Sequence, residues 1–144
     1  MLQSTEARDV VVRFYERLSA GDVDGTSATI ADDQEAFVIG TQRIGHGRGP
    51  WLDSVRENAQ MGVRFEAGTI RAWAEGPMGW AVDEPTIVLP DGARLPTRMT
   101  AVLRREPDGA LRIVHQHFSW AVPDDVAMEH ASAWHTQLRL APAG

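Results

Sequence analysis

Cysteine and lysine are both absent from this chain of 144 residues. Without cysteine the protein can form no disulfide and no thiolate metal site, and it has no thiol nucleophile. Arginine supplies all 14 of the lysine or arginine positions, and the formal net charge is −6. Because the chain is acidic and its arginines do not cluster, we expect no nucleic-acid partner.

Long apolar runs are also missing. No stretch approaches the ~20 residues that cross a bilayer, and residues 1–10 lack the basic and apolar parts of a secretory signal. We therefore predict no membrane partner and a cytoplasmic location. The composition that remains is ordinary, 43% hydrophobic and 24% charged, and the length suits a single domain over residues 1–144.

Helix signals stand at both ends of the chain and strand signals lie in the middle. Periodic apolar residues and capping side chains predict helices over 4–19, 22–30, 50–60 and about 123–138. Runs of β-branched and aromatic residues predict strands over 35–41, 63–75, 79–89, 94–105 and 110–122. This order predicts an α+β fold, with helices packed on one face of a curved antiparallel sheet.

The tripeptide Pro-Asp-Gly occurs twice between predicted strands, at 90–92 and at 107–109. Proline and aspartate suit the corners of a type I turn, and glycine suits the left-handed position that follows. Such a three-residue loop joins antiparallel strands, so the residues that flank each loop should pair. Carried along the strands, this register places Glu84 opposite Arg98, and Arg98 opposite Phe118.

This register divides the side chains of the three strands between two faces. One face should carry Trp80, Val82, Glu84, Arg98, Thr100, Val102, Val114, Gln116, Phe118 and Trp120. The other face should carry Met99, Ala101, Leu103, Ile113, His115, His117, Ser119 and Ala121. Both faces are largely apolar, and the helices can cover only one, so we predict a homodimer formed through the sheet.

Four segments resemble one known family in content and order. They are FYERLSAGDVDGTSATIADD (14–33), VIGT (38–41), LPTRMTAVLRREPDG (95–109) and RIVHQHFSWAVPD (112–124). Over about residues 4–124 the chain resembles the nuclear transport factor 2 fold of SnoaL-like polyketide cyclases, ketosteroid isomerases and the calmodulin-dependent kinase association domain. The resemblance implies a cone-like sheet whose concave face carries the N-terminal helices, encloses a pocket and contains Phe118.

The resemblance to ketosteroid isomerases does not extend to their catalytic residues. The position of the isomerase tyrosine falls on Phe14, and Tyr15 points about 100° away around the helix. The position of the isomerase base falls on about Val38. We therefore expect no isomerase chemistry at these positions.

Glu84 and Arg98 form the first candidate site in the predicted pocket. Arg98 could bind an anionic or carbonyl oxygen of a substrate while Glu84 acts as the catalytic base. The alternative is a structural ion pair, since a buried arginine needs a partner. Asp83 would take the place of Glu84 if the strand slipped by one residue, although the register favours the outer face for it. His46, in a glycine-rich loop, is a second candidate acid or base, with a solvated loop histidine as the alternative.

The remaining candidates follow from the same two faces. The predicted substrate-binding residues are Arg98, Gln116, Phe118, Trp80 and Trp120. His115 and His117 lie roughly 7 Å apart on one strand and could hold a metal. No third ligand is visible near them in the sequence, so we favour interface histidines and predict neither a metal nor a cofactor.

Two functions remain open from the sequence. The first is a mainly apolar pocket for a small organic molecule, with a proton-transfer isomerase, cyclase or lyase activity. The second is a non-catalytic association or ligand-binding module. A carboxylate or histidine inside the pocket that can move a proton would favour the enzyme.

Overall fold

A computed structural model describes residues 1–41 and 44–140, with side chains described up to residue 133. In chain order the elements are β1 (Leu2–Gln3), α1 (Thr5–Ser19), α2 (Val23–Ser27), β2 (Phe37–Ile39), β3 (Ile44–Gly45), α3 (Arg48–Met61), β4 (Arg64–Glu66), β5 (Arg71–Glu75), β6 (Met78–Asp83), β7 (Thr86–Val88), β8 (Arg94–Arg105), β9 (Leu111–Trp120) and α4 (Asp124–Leu140). The predicted α+β class is confirmed: a curved, mostly antiparallel sheet carries the N-terminal helices, and a helix ends the chain.

The main sheet has the strand order β1-β5-β6-β8-β9-β2-β3, and β7 pairs with both β4 and β8. The pairing of β2 with β9 is parallel, whereas the other pairs of strands are antiparallel. The run predicted as one strand over 79–89 is divided at Glu84 and Pro85 into β6 and β7. Proline has no N–H to donate to a sheet ladder, which explains an interruption at this point.

Helix α1 begins and packs as its sequence predicts. The Ser4 side chain caps it by accepting a hydrogen bond of 3.1 Å from the Ala7 amide. Its apolar side chains at Val11, Phe14 and Leu18 are buried against the sheet and belong to the hydrophobic core. The helix therefore covers one face of the sheet through a single apolar stripe.

Both Pro-Asp-Gly loops have the predicted conformation. The Leu89 amide donates to the Ala93 carbonyl at 2.9 Å, and the Glu106 amide donates to the Ala110 carbonyl at 2.9 Å. The glycine of each loop is left-handed, with φ of 85° in the first and 84° in the second. Local turn chemistry thus starts both hairpins in the register that the sequence predicts.

A β-bulge then changes the register between β8 and β9. Leu103 lies opposite Ile113, but Val102 lies opposite His115, so Val114 is the extra residue on β9. Beyond the bulge every pairing is displaced by one residue, and Arg98 lies opposite Ser119. The prediction that Arg98 lies opposite Phe118 and shares its face is therefore wrong.

The displacement also changes which side chains face the helices. The β6 and β8 pairing is as predicted, but the inward side chains of these strands are those assigned to the outer face, including Asp83, Met99 and Ala101, which are buried. On β9 the bulge brings Gln116 and Phe118 inward, as predicted. The predicted pocket face thus joins residues that lie on opposite sides of the sheet.

Helix α4 follows β9 and extends the chain away from the core. It begins at Asp124, close to the predicted start, and ends at Leu140, near the predicted end. The described side chains over 124–133 are all exposed. None of the described helices has the combined length and apolarity that a membrane span requires.

Candidate functional site

A cavity of about 350 Å³ lies between the sheet and the two helices α1 and α3. Five aromatic residues line it: Phe14, Trp51, Phe65, Phe118 and Trp120. Its polar lining residues are Thr41, Ser54, Glu57, Asn58 and Gln116, and aliphatic side chains and Gly40 form the remainder. The cavity is therefore a mainly apolar space with a few polar groups, as is usual for small-molecule sites.

Regular secondary structure sets the positions of the lining side chains. Phe14 and Leu18 are one turn apart on α1, and Trp51 and Val55 are one turn apart on α3, so each pair presents a continuous apolar surface. In the cavity wall, the rings of Phe65 and Phe118 meet edge to face with centroids 5.5 Å apart. These elements form a rigid frame for a bound molecule.

Gln116 is the polar group buried most completely in the cavity wall. Its side chain is 0% exposed, and neither its amide nitrogen nor its amide oxygen has a hydrogen-bond partner among the described residues. Its backbone lies in the centre of the sheet, opposite Ala101 on one side and Val38 on the other. A buried amide without partners is unfavourable, so this side chain retains unused hydrogen-bonding capacity in the cavity wall.

Glu57 is the ionisable side chain among the described lining residues. It lies on α3 and is half-buried. Nearby, the Asn58 side chain donates a hydrogen bond of 3.0 Å to the Ser54 carbonyl within the same helix. A carboxylate in a mainly apolar cavity is the kind of group that can accept a proton from a substrate.

Three of the predicted substrate-binding residues line the cavity, and two do not. Gln116, Phe118 and Trp120 lie in its wall, as expected for the inward face of β9. Trp80 instead stacks on Trp73 at 4.2 Å between ring centroids, on the outer face of the sheet. Arg98 is exposed on that outer face, because β8 turns its other side chains towards the helices.

The two predicted catalytic residues also lie outside the cavity. Glu84 is exposed in the segment between β6 and β7, and no described ion pair joins it to Arg98. His46 is exposed, and its ring stacks on Phe37 at 6.4 Å between centroids. The wrong register between β8 and β9 explains why Glu84 and Arg98 were predicted to share the pocket face with Phe118. The catalytic roles of Glu84 and His46 stay predictions, without a described contact that connects either residue to the cavity.

The two candidate metal ligands belong to the outer side of the sheet. The ring of His115 contacts Phe37, with centroids 4.2 Å apart, and its Nδ1 lies 3.1 Å from the Phe37 carbonyl oxygen. His117 is exposed. Within the described part of the chain, no cluster of three or more histidine, aspartate or glutamate side chains has the arrangement of a metal site.

Two buried polar residues, Tyr15 and Asp83, were not predicted to lie in the core. Tyr15 is buried and stacks on Phe65 at 5.8 Å between centroids, and the Asp83 carboxylate accepts a hydrogen bond of 3.2 Å from the Gly68 amide. Burial, and then the neighbouring Asp83 carboxylate, raise the pKa of Tyr15. One signal in the sequence could have placed Asp83 inward. Gly79 lies on the same face of β6, and its small size allows α1 to pack against that face.

The α+β fold, whose curved sheet encloses a cavity with the N-terminal helices, is similar to that of nuclear transport factor 2-like proteins. The family model of the SnoaL-like domain matches residues 7–123, so the chain belongs to this family. A comparison with curated proteins finds no match.

Three solved structures illustrate the likeness of the fold. A proposed dehydratase of the nuclear transport factor 2-like family from Streptomyces avermitilis is 20% identical, with a TM-score of 0.73, over 82% of this chain and 95% of that one. A nuclear transport factor 2-like protein of unknown function from Pseudomonas putida is 19% identical, with a TM-score of 0.71, over 82% of this chain and 89% of that one. A proposed ketosteroid isomerase from Shewanella frigidimarina is 15% identical, with a TM-score of 0.69, over 81% of this chain and 96% of that one. At these identities the likeness shows the fold alone.

Proposed function

We propose that this protein binds a small organic molecule in the cavity between the sheet and helices α1 and α3, with Gln116 as its polar anchor. The observation that carries the proposal is the Gln116 amide, which is fully buried in the cavity wall without a partner among the described residues. Buried polar side chains in native proteins are nearly always hydrogen-bonded. A ligand that bonds to this amide would supply the missing partner.

The size and lining of the cavity support the same conclusion. Its volume of about 350 Å³ lies in the range of about 300–1,000 Å³ that is typical of small-molecule sites. Aromatic side chains from α1, α3, β4 and β9 surround it. Such walls favour an apolar ligand, and few polar groups decide its orientation.

A proton-transfer enzyme is the second candidate function, and Glu57 is the observation that favours it. This carboxylate lines the cavity together with Gln116, so a substrate held by the amide could meet a base on α3. Two similar structures are proposed to be a dehydratase and a ketosteroid isomerase. An isomerase, cyclase or lyase step would fit this pairing. Once a substrate is known, Glu57→Gln should remove turnover but retain binding if Glu57 is the base, whereas unchanged turnover would exclude that role.

The binding proposal can be tested with a ligand-free sample and a matched pair of variants. Ser54→Phe places a ring in the cavity, whereas Ser132→Phe places the same ring on the exposed helix α4. Native mass spectrometry of the protein as purified should detect a bound small molecule. After that molecule is removed, calorimetry should show that naphthalene binds to wild type and Ser132→Phe but not to Ser54→Phe. Equal binding to both variants would place the site elsewhere.

We also propose that the outer face of the sheet forms a homodimer. Trp80 and Met78 are 36% and 40% exposed there, and Val82 and Val102 are half-buried beside them. Helix α1 covers the opposite face, so a second copy is the natural cover for these apolar side chains. Sedimentation should give about twice the chain mass of 15.8 kDa. Val102→Lys should give a monomer, and Glu16→Lys, on the exposed side of α1, should not. A monomeric wild type would contradict the proposal.

A further inference from the structure

We infer that the ligand of this cavity carries a hydrogen-bond donor and an acceptor side by side, as a lactam or another cis-amide does, on a planar ring system. This inference rests on the proposed small-molecule function and names the chemical class of the ligand. It follows from the two unpartnered ends of Gln116 and from the aromatic walls around them.

A glutamine amide has one end that accepts hydrogen bonds and one end that donates them. Both the Oε1 and the Nε2 of Gln116 are buried without partners in the described structure. A ligand group that only accepts would satisfy the nitrogen and leave the oxygen unpaired. A ketone, an ester or an ionised carboxylate is such a group. A cis-amide satisfies both ends at once with two parallel hydrogen bonds.

This requirement does not depend on how the amide is oriented. The oxygen and nitrogen of a glutamine side chain can be exchanged by a rotation, and their assignment follows from the hydrogen-bond network. Because neither end of Gln116 has a partner in the part of the chain that the structure describes, both orientations call for the same adjacent donor and acceptor. The selectivity therefore depends only on the burial of the whole side chain, which is complete.

Other groups near the amide do not supply its partners. Its strand neighbours across the sheet are Val38 and Ala101, whose side chains have no polar atoms. The Asn58 amide already donates to the Ser54 carbonyl in its own helix. A ligand in the cavity can complete the hydrogen bonding of Gln116 when the side chain turns its amide, which has no exposed surface in this structure, into the cavity.

The walls of the cavity define the remainder of the ligand. The rings of Phe14, Trp51, Phe65, Phe118 and Trp120 line it, and aromatic side chains pack well against flat, apolar molecules. A volume of about 350 Å³ accommodates a fused two-ring molecule. The ligand class is therefore an aromatic or unsaturated bicyclic molecule whose edge presents a cis-amide.

Two probes of equal shape test this class directly. 2-Quinolone has a lactam edge with an N–H beside a carbonyl, and coumarin has a ring oxygen in place of that N–H. Leaving one end of a buried amide unpaired should weaken binding by about tenfold or more. Calorimetry should therefore show wild-type protein binding 2-quinolone at least about tenfold more tightly than coumarin, with naphthalene as the apolar reference.

The variant Gln116→Met should bind the two probes equally, because its side chain keeps the length but has no amide. Gln116→Leu serves as a second apolar variant if the methionine variant does not fold. Equal affinity of wild type for 2-quinolone and coumarin would overturn the inference and leave the cavity as a binding site. A preference for 2-quinolone that persists in both variants would also overturn it. No binding of any of the three probes would contradict the proposed function itself.

Discussion

Replacing Gln116 by methionine should make the ligand-free protein more stable. The wild-type amide is fully buried with both polar ends unpartnered among the described residues. Leaving a buried polar group unsatisfied costs about 1–3 kcal/mol, and an apolar side chain of similar length removes that cost. We therefore expect the free energy of unfolding of Gln116→Met to rise by about 1–3 kcal/mol, towards the lower end if water enters the wild-type cavity.

Urea denaturation of ligand-free samples measures this change. The midpoint should move to a higher urea concentration while the slope stays constant, which identifies a change in stability alone. In a thermal scan the same gain corresponds to a rise in Tm of about 3–10 °C for a domain of this size. Gln60→Met is the matched control, because it makes the same substitution at an exposed glutamine on α3. Its stability should change by no more than about 0.5 kcal/mol.

A bound ligand should reverse the order of the two proteins. Wild type gains stability from a ligand according to its concentration and affinity, and Gln116→Met should gain less because it lacks the amide. A ligand-free Gln116→Met that is less stable than wild type would refute the reasoning, since it would show that the amide is already satisfied in the folded protein.

Three further outcomes follow from the structure. The chain has a single tyrosine, Tyr15, and burial raises the pKa of its hydroxyl above the ordinary value of 10.0. The contribution of the neutral Tyr15 to stability is therefore complete below pH 10.0 and is lost as the pH rises above it. Tyrosinate absorbance should therefore appear only with alkaline unfolding, and titration of the folded protein near pH 10.0 would contradict the assignment. A hydrogen bond from Arg112 lowers the pKa of Asp108 from 3.8 to about 2. The contribution of the Asp108 carboxylate to folding stability is therefore complete above pH 3.8 and is lost as the pH falls through about 2. Asp108→Asn should lower Tm at neutral pH, and the difference in Tm between this variant and wild type should disappear as the pH falls from 3.8 to about 2. A difference in Tm that persists at about pH 2 would contradict this assignment. Finally, Glu84→Gln and His46→Ala should bind 2-quinolone as tightly as wild type does, because both side chains lie outside the cavity. Weaker binding of either variant in calorimetry would show that the substituted residue contributes to the binding site.

The sequence by itself determines the local features of this protein. The caps of the first two helices follow from Ser4 and Asp22, whose side chains accept hydrogen bonds from backbone amides three residues ahead. The Pro-Asp-Gly loops likewise determine both hairpin turns and the register of the residues next to them. These features depend on the conformational preferences of a few neighbouring residues, so the sequence is sufficient to predict them.

Only the tertiary structure decides which side chains face the cavity. The bulge at Val114 has no signature in its own sequence, yet it separates Arg98 from Phe118 and brings Gln116 inward. The inward face of β6 is set by α1, which packs closely over Gly79, so Asp83 is buried and Glu84 is not. A side chain changes face when the register shifts by one residue, and the packing of distant elements fixes that shift. The same packing buries the Gln116 amide without a partner among the described residues, because its neighbours Val38 and Ala101 come from β2 and β8, which meet β9 only in the folded chain.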